Sequence, residues 1–135
     1  MSEENKALVR RYYERVLNGR DLDAVEEFFA DERIVAGVRS GCFAYFRGFP
    51  DLHTSIDQLI AEGDAVFCRS TTTGTHDGEF KGIPPTGRNV SVESAEVFTI
   101  RDGRFTGYWC LANVAGLMRQ LTEERVVTEP VGTGT

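Results

Sequence analysis

The chain has 135 residues, of which 41% are hydrophobic and 27% charged, a composition typical of one folded domain and not of a disordered segment. Its net charge of −6 and its lack of a basic cluster argue against a nucleic-acid partner, because phosphate binding needs a positively charged face. No apolar run is long enough to span a membrane, and no apolar leader segment follows Met1. The three cysteines have no metal-ligand spacing. We therefore expect a cytoplasmic protein without a metal site, a membrane partner or a nucleic-acid partner.

Two helices are predicted at the N-terminal end. Ser2 can cap the first helix, which Asn18 and Gly19 end. Its apolar face carries Leu8, Val9, Tyr12, Tyr13, Val16 and Leu17. A second, shorter helix begins at Asp21 and ends at residues 31–32. Its apolar stripe consists of Leu22, Val25, Phe28 and Phe29.

The secondary structure of residues 33–49 is less clearly indicated. Residues 33–38 are predicted to form a short strand. Residues 40–49 are ambiguous, since Ser40 could cap one or two helical turns that contain Phe43 and Phe46. Pro50 ends this segment.

From residue 52 onwards the pattern becomes that of an antiparallel sheet. The predicted strands are residues 52–60, 65–75, 90–100 and 105–111. A polar loop covers 76–88, and Asp102-Gly103 predicts a two-residue hairpin turn. A last helix is predicted at 115–121. We thus expect one α+β domain over residues 1–121, with helices on one face of the sheet, and a flexible tail over 122–135.

Four segments between Phe49 and Leu121 resemble the SnoaL-like polyketide cyclase branch of the NTF2-like superfamily. They are Phe49-Pro50-Asp51-Leu52-His53, Glu62-Gly63-Asp64, residues 74–88 from Gly74-Thr75-His76 to Pro84-Pro85-Thr86-Gly87-Arg88, and Asp102-Gly103-Arg104 with Trp109 and residues 116–121. The resemblance implies a cone of helices on a curved sheet, a pocket between them and a homodimer formed through the sheet. It also implies cofactor-free chemistry on a small apolar or aromatic polyketide-like ligand.

Two departures from the family pattern bear on activity. Cyclases of this family usually have an acid/base aspartate four residues after the tryptophan of the last strand, and here Asn113 stands there. A side-chain amide acts neither as an acid nor as a base at neutral pH, so proton transfer by that residue is not expected. At this position the chain is more similar to the hydroxylase-like members of the family. The segment between Phe29 and Phe49 is also shorter than usual, which would open or reshape the pocket mouth.

Glu96 is the best candidate for a catalytic base. It lies in the middle of a predicted strand and on the same face as Phe98, where a carboxylate is costly unless it faces water or a pocket. An exposed face is the alternative interpretation. Glu93 lies on the opposite face, so only one of the two acids can point inward.

Two histidines are further candidates. His53 opens a strand and could act as a base or donor, or simply bond to its own turn. His76 ends a long strand before the glycine-rich loop, where a hydrogen bond that fixes the loop is the alternative to substrate binding.

The remaining candidates concern ligand binding. If the resemblance holds at position 113, Trp109 and Asn113 share a pocket-facing side of the last strand, where Trp109 could stack on an aromatic ring and Asn113 could donate to a carbonyl. Arg69 could hold a carboxylate or phenolate, although such arginines are often on the surface or in an interface. Phe98 would contribute to the core and the pocket wall.

The resemblance therefore implies a cyclase that closes a ring by an intramolecular aldol reaction. Family members that act as hydroxylases or isomerases are the alternative among enzymes, and a non-catalytic binder of a small ligand is the alternative outside them.

Overall fold

The computed structural model describes residues 2–123, which form helices on one side of a single sheet. The first helix, α1 (Ser2–Tyr12), continues into a π-helical turn (Tyr13–Asn18). A 3₁₀ turn (Leu22–Ala24) leads directly into a short α2 (Val25–Phe28). The long helix α3 (Glu32–Gly48) and the closing helix α4 (Val114–Thr122) complete the set. The predicted tail lies outside the described residues except for Thr122, the last residue of α4, and Glu123.

Helix α3 corrects the strand predicted at 33–38 and resolves the ambiguous segment 40–49. One helix of 17 residues covers both, and the Asp31 side chain caps it by accepting a hydrogen bond from the backbone N–H of Arg33. Ile34, Val35 and Val38 are β-branched and suggested a strand. Their spacing instead places them on the inner side of a helix, where Val35 joins the core and the other two pack against it.

The sheet is an antiparallel meander in the order β1-β2-β3-β4, with no pairing between β1 and β4 among the described residues. Its strands are β1 (His53–Glu62), β2 (Ala65–Thr75), β3 (Asn89–Arg101) and β4 (Arg104–Ala112). The helices pack on one face of this curved, unclosed sheet, as predicted. Within residues 2–123, no helix combines the length and the apolarity needed to cross a bilayer.

The register between β3 and β4 changes near their turn. Arg101 pairs with Arg104 and Ile100 with Phe105, but Thr99 pairs with Gly107, so Thr106 is an extra residue in β4. Without this bulge, Glu96 would lie opposite Trp109. With it, Glu96 lies opposite Cys110, and the side chains beyond the bulge exchange faces relative to an unbroken hairpin.

Two apolar clusters hold the helices on the sheet. The larger cluster is centred on Tyr12. Its ring packs edge to face, with 5.4–5.8 Å between ring centroids, on the rings of Phe28, Phe29, Phe98 and Phe105. The smaller cluster joins the end of α3 to the loop after β2 and to α4, through Phe49, Phe80 and Leu117. The space between the two clusters is where the candidate site lies.

Candidate functional site

A cavity of about 520 Å³ lies between the helices and the inner face of the sheet. The helices contribute Tyr12, Tyr13, Leu17, Ile34, Gly37, Val38, Gly41, Cys42, Tyr45 and Phe46. The segment before β1 and the strands contribute Leu52, Thr54, Ser70, Thr72, Val92, Ser94, Glu96, Tyr108, Cys110 and Ala112. Most of the wall is apolar, and its polar groups are mainly hydroxyls on the sheet. A cavity with an apolar wall and a few convergent polar groups is typical of a small-molecule site.

Among the described residues, Glu96 is the only carboxylic acid that lines this cavity, and it is 6% exposed. The Tyr13 hydroxyl donates a hydrogen bond to Oε1, and the Tyr108 hydroxyl donates one to Oε2. Tyr13 is on the π-helical turn and Tyr108 on β4, so donors from two different elements fix both carboxylate oxygens. The Tyr13 hydroxyl also lies 3.4 Å from Ser70 Oγ, and the Cys68 thiol donates to it at 3.3 Å.

Burial raises the pKa of Glu96 from 4.5 to about 7, although hydrogen bonds from Tyr108 and Cys110 act in the opposite direction. Desolvation prevails because the carboxylate is almost entirely removed from water. A carboxyl group with a pKa near neutrality can both accept and release a proton at physiological pH, which is what general acid–base catalysis requires.

The neighbouring acidic groups remain protonated at neutral pH. Burial raises the pKa of the Cys42 and Cys110 thiols to about 11, and in Cys110 the charge of Glu96 adds to the effect. Burial, followed by the charge of Glu96, also raises the pKa of the Tyr108 phenol well above its usual range. Tyr108 and Cys110 therefore serve as hydrogen-bond donors to Glu96 and not as bases, and Cys42 is likewise no base.

The cavity is deep at Glu96 and open between α3 and β4. Gly37 and Gly41 on α3 and Cys110 on β4 line it and are nevertheless exposed, whereas Tyr12, Tyr13 and Glu96 are buried. A ligand entering between α3 and β4 would meet the thiol of Cys110 before the carboxyl group of Glu96.

Of the seven residues predicted from the sequence to act in the site, only Glu96 lines the cavity. Glu93 is exposed on the opposite face, as expected if Glu96 points inward. The predicted placement of Trp109 is wrong: it is 53% exposed on the outer face of the sheet. The bulge at Thr106 is the physical reason, because it turns Tyr108 and Cys110 inward instead.

Asn113 does not line the cavity either. Its side-chain oxygen accepts a hydrogen bond from the backbone N–H of Gly116 at 2.9 Å and so caps α4. The side chain of Asn113 therefore has a structural role in this fold, and its contact with a substrate carbonyl stays a prediction.

The other four candidates also lie away from the cavity wall. His53 and Arg69 are exposed and belong to the outer face of the sheet. Phe98 is buried in the larger cluster, 4.6 Å from the ring of Phe105. The fully buried His76 holds the loop after β2, because its Nδ1 lies 2.9 Å from Thr86 Oγ1 and accepts from the backbone N–H of Thr86.

Three residues that surround Glu96 were not predicted from the sequence: Tyr13, Tyr108 and Cys110. Tyr13 is on the predicted apolar face of the first helix, but nothing in the pattern distinguishes a core tyrosine from one that bonds to a carboxylate. Tyr108 and Cys110 could have been found from the position of Glu96 only if the bulge at Thr106 had been known. Within residues 2–123, His, Cys, Asp and Glu side chains form no group of three that could hold a metal ion.

The family of this chain is identified by a family model that covers most of it. Residues 7–121 match the sequence model of the family described as SnoaL-like polyketide cyclase. No protein of curated function matches the chain. Similar solved structures include AclR from Streptomyces galilaeus, provisionally described as a hydroxylase, with 26% identity and a TM-score of 0.80 over 96% of this chain and 87% of AclR.

Two further structures are similar over nearly their whole length. TsrD from Streptomyces laurentii is 28% identical, with a TM-score of 0.79 over 90% of this chain and 97% of TsrD. A protein from Acidithiobacillus ferrooxidans, provisionally described as a polyketide cyclase, is 25% identical, with a TM-score of 0.77 over 90% of this chain and 96% of that protein. These likenesses confirm the predicted NTF2-like α+β fold.

Proposed function

This chain belongs to the SnoaL-like polyketide cyclase family, and we propose from that membership that it closes a ring in a polyketide-like ketone by proton transfer through Glu96. The observation that supports this most is the position of Glu96: one buried carboxyl group, with a pKa of about 7, at the deep end of an apolar cavity. The aspartate that usually performs this step is replaced by Asn113 at the start of α4, and Glu96 supplies an acid from β3 instead.

In the proposed reaction, the Glu96 carboxylate removes a proton from the carbon beside a ketone and leaves an enolate. The enolate carbon forms a bond to a second carbonyl carbon of the same molecule, whose π electrons move to its oxygen. That oxygen then takes the proton back from Glu96, so the carboxylate is regenerated and no external reactant is consumed.

Tyr13 and Tyr108 support both halves of this cycle. While Glu96 is ionised, their hydroxyls donate to its two oxygens. Once Glu96 has taken up a proton, its oxygens attract donors less strongly, and one hydroxyl can turn to the enolate oxygen of the substrate. Donors placed where negative charge develops are a major source of rate enhancement.

The cavity wall suits a flat ligand with an apolar and an oxygen-bearing side. Leu17, Ile34 and Val38 form part of the helical wall, while Ser70, Thr72 and Ser94 present hydroxyls from the sheet. We propose that the aromatic or alicyclic surface of the ligand lies against the helices and its oxygens against the sheet.

A second candidate is an oxygenation reaction of the kind suggested for AclR. One observation favours this alternative, the 26% identity to AclR. The asparagine at position 113 agrees with it, because the chain resembles the hydroxylase-like members of the family at that position. A chain that binds the same ligands without turnover is the third outcome that the experiment below distinguishes.

We further propose that two copies of the chain associate through the outer face of the sheet. Register places Ile60, Phe67, Val97 and Trp109 in one row across all four strands, with Leu111 beside it. Ile60, Trp109 and Leu111 are 52%, 53% and 63% exposed. An exposed apolar row of this kind on a sheet is suited to a self-complementary contact with a second copy.

The cyclase proposal is tested with 1-phenylhexane-1,5-dione, which closes to 3-phenylcyclohex-2-enone by an intramolecular aldol reaction and loss of water. We expect Glu96→Gln to lower the rate of ring closure by a factor of about 100 or more, as removal of a general base usually does. Glu93→Gln is the matched control, because it removes a carboxylate from the same strand on the opposite face and should leave the rate unchanged. Equal rates in the wild type and Glu96→Gln would exclude Glu96 as the base, and binding without ring closure would favour the non-catalytic alternative.

A further inference from the structure

Two glycines in the interior of α3 line the cavity, although the fold does not require glycine at either position. Both Gly37 and Gly41 lack positive φ angles, and a Cβ atom built on either would meet no atom within 4 Å. Glycine in a helix interior is destabilising relative to alanine, because it leaves the unfolded chain more freedom. Neither backbone conformation nor packing within the described chain therefore explains these residues.

Gly48, at the end of the same helix, shows the opposite situation. A Cβ atom there would lie 2.8 Å from Cβ of Phe80, so the close approach of the loop after β2 requires a glycine. The contrast within one helix separates a glycine that the fold needs from two that leave space open.

The open space lies at the entrance of the cavity. Helix α3 is attached at its beginning, where Val35 joins the larger cluster, and at its end, where Tyr45 and Phe46 pack against the smaller one. Between these attachments, Gly37 and Gly41 are exposed and line the cavity. Side chains at these positions would project into the opening on the way to Glu96.

We propose that Gly37 and Gly41 determine specificity by keeping the entrance wide enough for a flat ligand of three or more fused rings. The helix gives up stability at both positions, and the gain is access to Glu96 for a broad ligand. This inference rests on the proposed ligand-binding function and adds to it the residues that set the ligand's width.

Substitution of the glycines makes the inference testable without loss of the fold. Gly37→Ala and Gly41→Ala should each raise the melting temperature by about 3 °C, since alanine is the better helix former and nothing obstructs its methyl group. Gly48→Ala should lower the melting temperature, because its methyl group meets Phe80. A fall in melting temperature for Gly41→Ala would show that the fold needs this glycine and would overturn the inference.

Binding is then measured with two probes of different width, 2-naphthol with two fused rings and 1,8-dihydroxyanthraquinone with three. Gly41→Leu should weaken binding of the three-ring probe at least tenfold and binding of 2-naphthol much less. Ser40→Leu is the matched control, because it adds a similar side chain at an exposed position of α3 that does not line the cavity. It should bind both probes as the wild type does.

The outcomes separate this inference from the function on which it rests. If the wild type binds both probes and Gly41→Leu binds them equally well, the inference is wrong and the proposed ligand site stands. If the wild type binds neither probe, the proposed function fails and this inference fails with it.

Discussion

The two faces of the sheet differ in almost every respect, although their residues alternate along the same strands. The inner face of β3 and β4 presents Glu96, Tyr108 and Cys110 to a cavity beneath the helices. The outer face presents Trp109 and Leu111, which are more than half exposed. We propose that the inner face binds a small ligand and that the outer face contacts a second copy of the chain.

This difference depends on one extra residue in β4. Without Thr106, the register set by the Asp102-Gly103 turn would place Trp109 beside Glu96 and turn Tyr108 and Cys110 outward. Gly107 fits the bulge, since a Cβ atom there would lie 3.2 Å from the Thr99 side chain. The identity of the face that lines the cavity is therefore decided by local backbone geometry and not by hydrophobic alternation alone.

Deletion of Thr106 should abolish the difference between the two faces of the sheet. Of the variants considered, it should lower the free energy of unfolding most. It would either force Trp109 into the cavity or bring Tyr108 to the surface, and both results remove contacts of buried aromatic rings. We expect a loss of more than about 4 kcal/mol in the free energy of unfolding, measured by urea denaturation. Thr106→Ala keeps the bulge and should change stability little. A deletion variant as stable as the wild type would contradict the role of the bulge.

Glu96→Gln should change how the free energy of unfolding depends on pH, because it removes the carboxyl group on the inner face that lines the cavity. The folded state holds the Glu96 proton more tightly than the unfolded state, so wild-type stability should fall as pH rises from about 4.5 to about 7. Glutamine lacks this penalty. At pH 8 the free energy of unfolding of the variant should be higher than that of the wild type by about 3 kcal/mol, and below pH 4.5 the two should differ little.

Urea denaturation of both proteins at pH 4 and pH 8 tests this expectation. Glu93→Gln serves as the control, because Glu93 is exposed on the outer face. An equal difference between wild type and Glu96→Gln at the two pH values would show that the proton affinity of Glu96 does not change on folding.

Leu111→Arg should affect the outer face alone. It places a charge beside the exposed apolar row, on the line of residues that contains Ala95 and Arg69, and should weaken association of two copies by a factor of about 100, as measured by sedimentation equilibrium. Thr73→Arg adds the same charge at an exposed outer position outside the row and should have little effect. A wild type that stays monomeric at high concentration would refute the proposed dimer.

Tyr108→Phe should produce the smallest change, confined to the inner face. Loss of the donor to Oε2 removes a hydrogen bond that favours the ionised carboxylate, so the pKa of Glu96 should rise by about one pH unit. The phenyl ring can keep the contacts with Phe29 and Phe98. Carbon-detected NMR titration of the Glu96 side chain measures the change, and an unchanged or lower pKa would contradict the assigned hydrogen bond.

Much of the fold followed from the sequence, because its signals are local. The predicted strand at 65–75 coincides with β2, and the Asp102-Gly103 turn joins β3 to β4 as expected. The error at 33–38 arose because Ile34, Val35 and Val38 favour strands by propensity, while their contacts with the core favour a helix.

The site was less predictable because it depends on register between distant segments. Alternation along β3 was enough to identify Glu96 as a candidate. Its partner Tyr13 lies on a helix 83 residues away in sequence. Its partner Tyr108 faces it only because of a bulge that no residue pattern predicts. Asn113 and Trp109 were assigned to the pocket by resemblance. The register of β4 turns Trp109 to the outer face, and Asn113 caps α4.

The most direct test of the proposed acid–base site is the titration of Glu96 in the wild-type protein by carbon-detected NMR of its carboxyl group, with Glu96→Gln used to assign the signal. We predict a midpoint at about pH 7, because burial raises the pKa of this carboxyl group more than the hydrogen bonds from Tyr108 and Cys110 lower it. A midpoint in the ordinary range of exposed glutamates, about 4.3, would mean that water reaches Glu96 freely, and the proposed site would be contradicted.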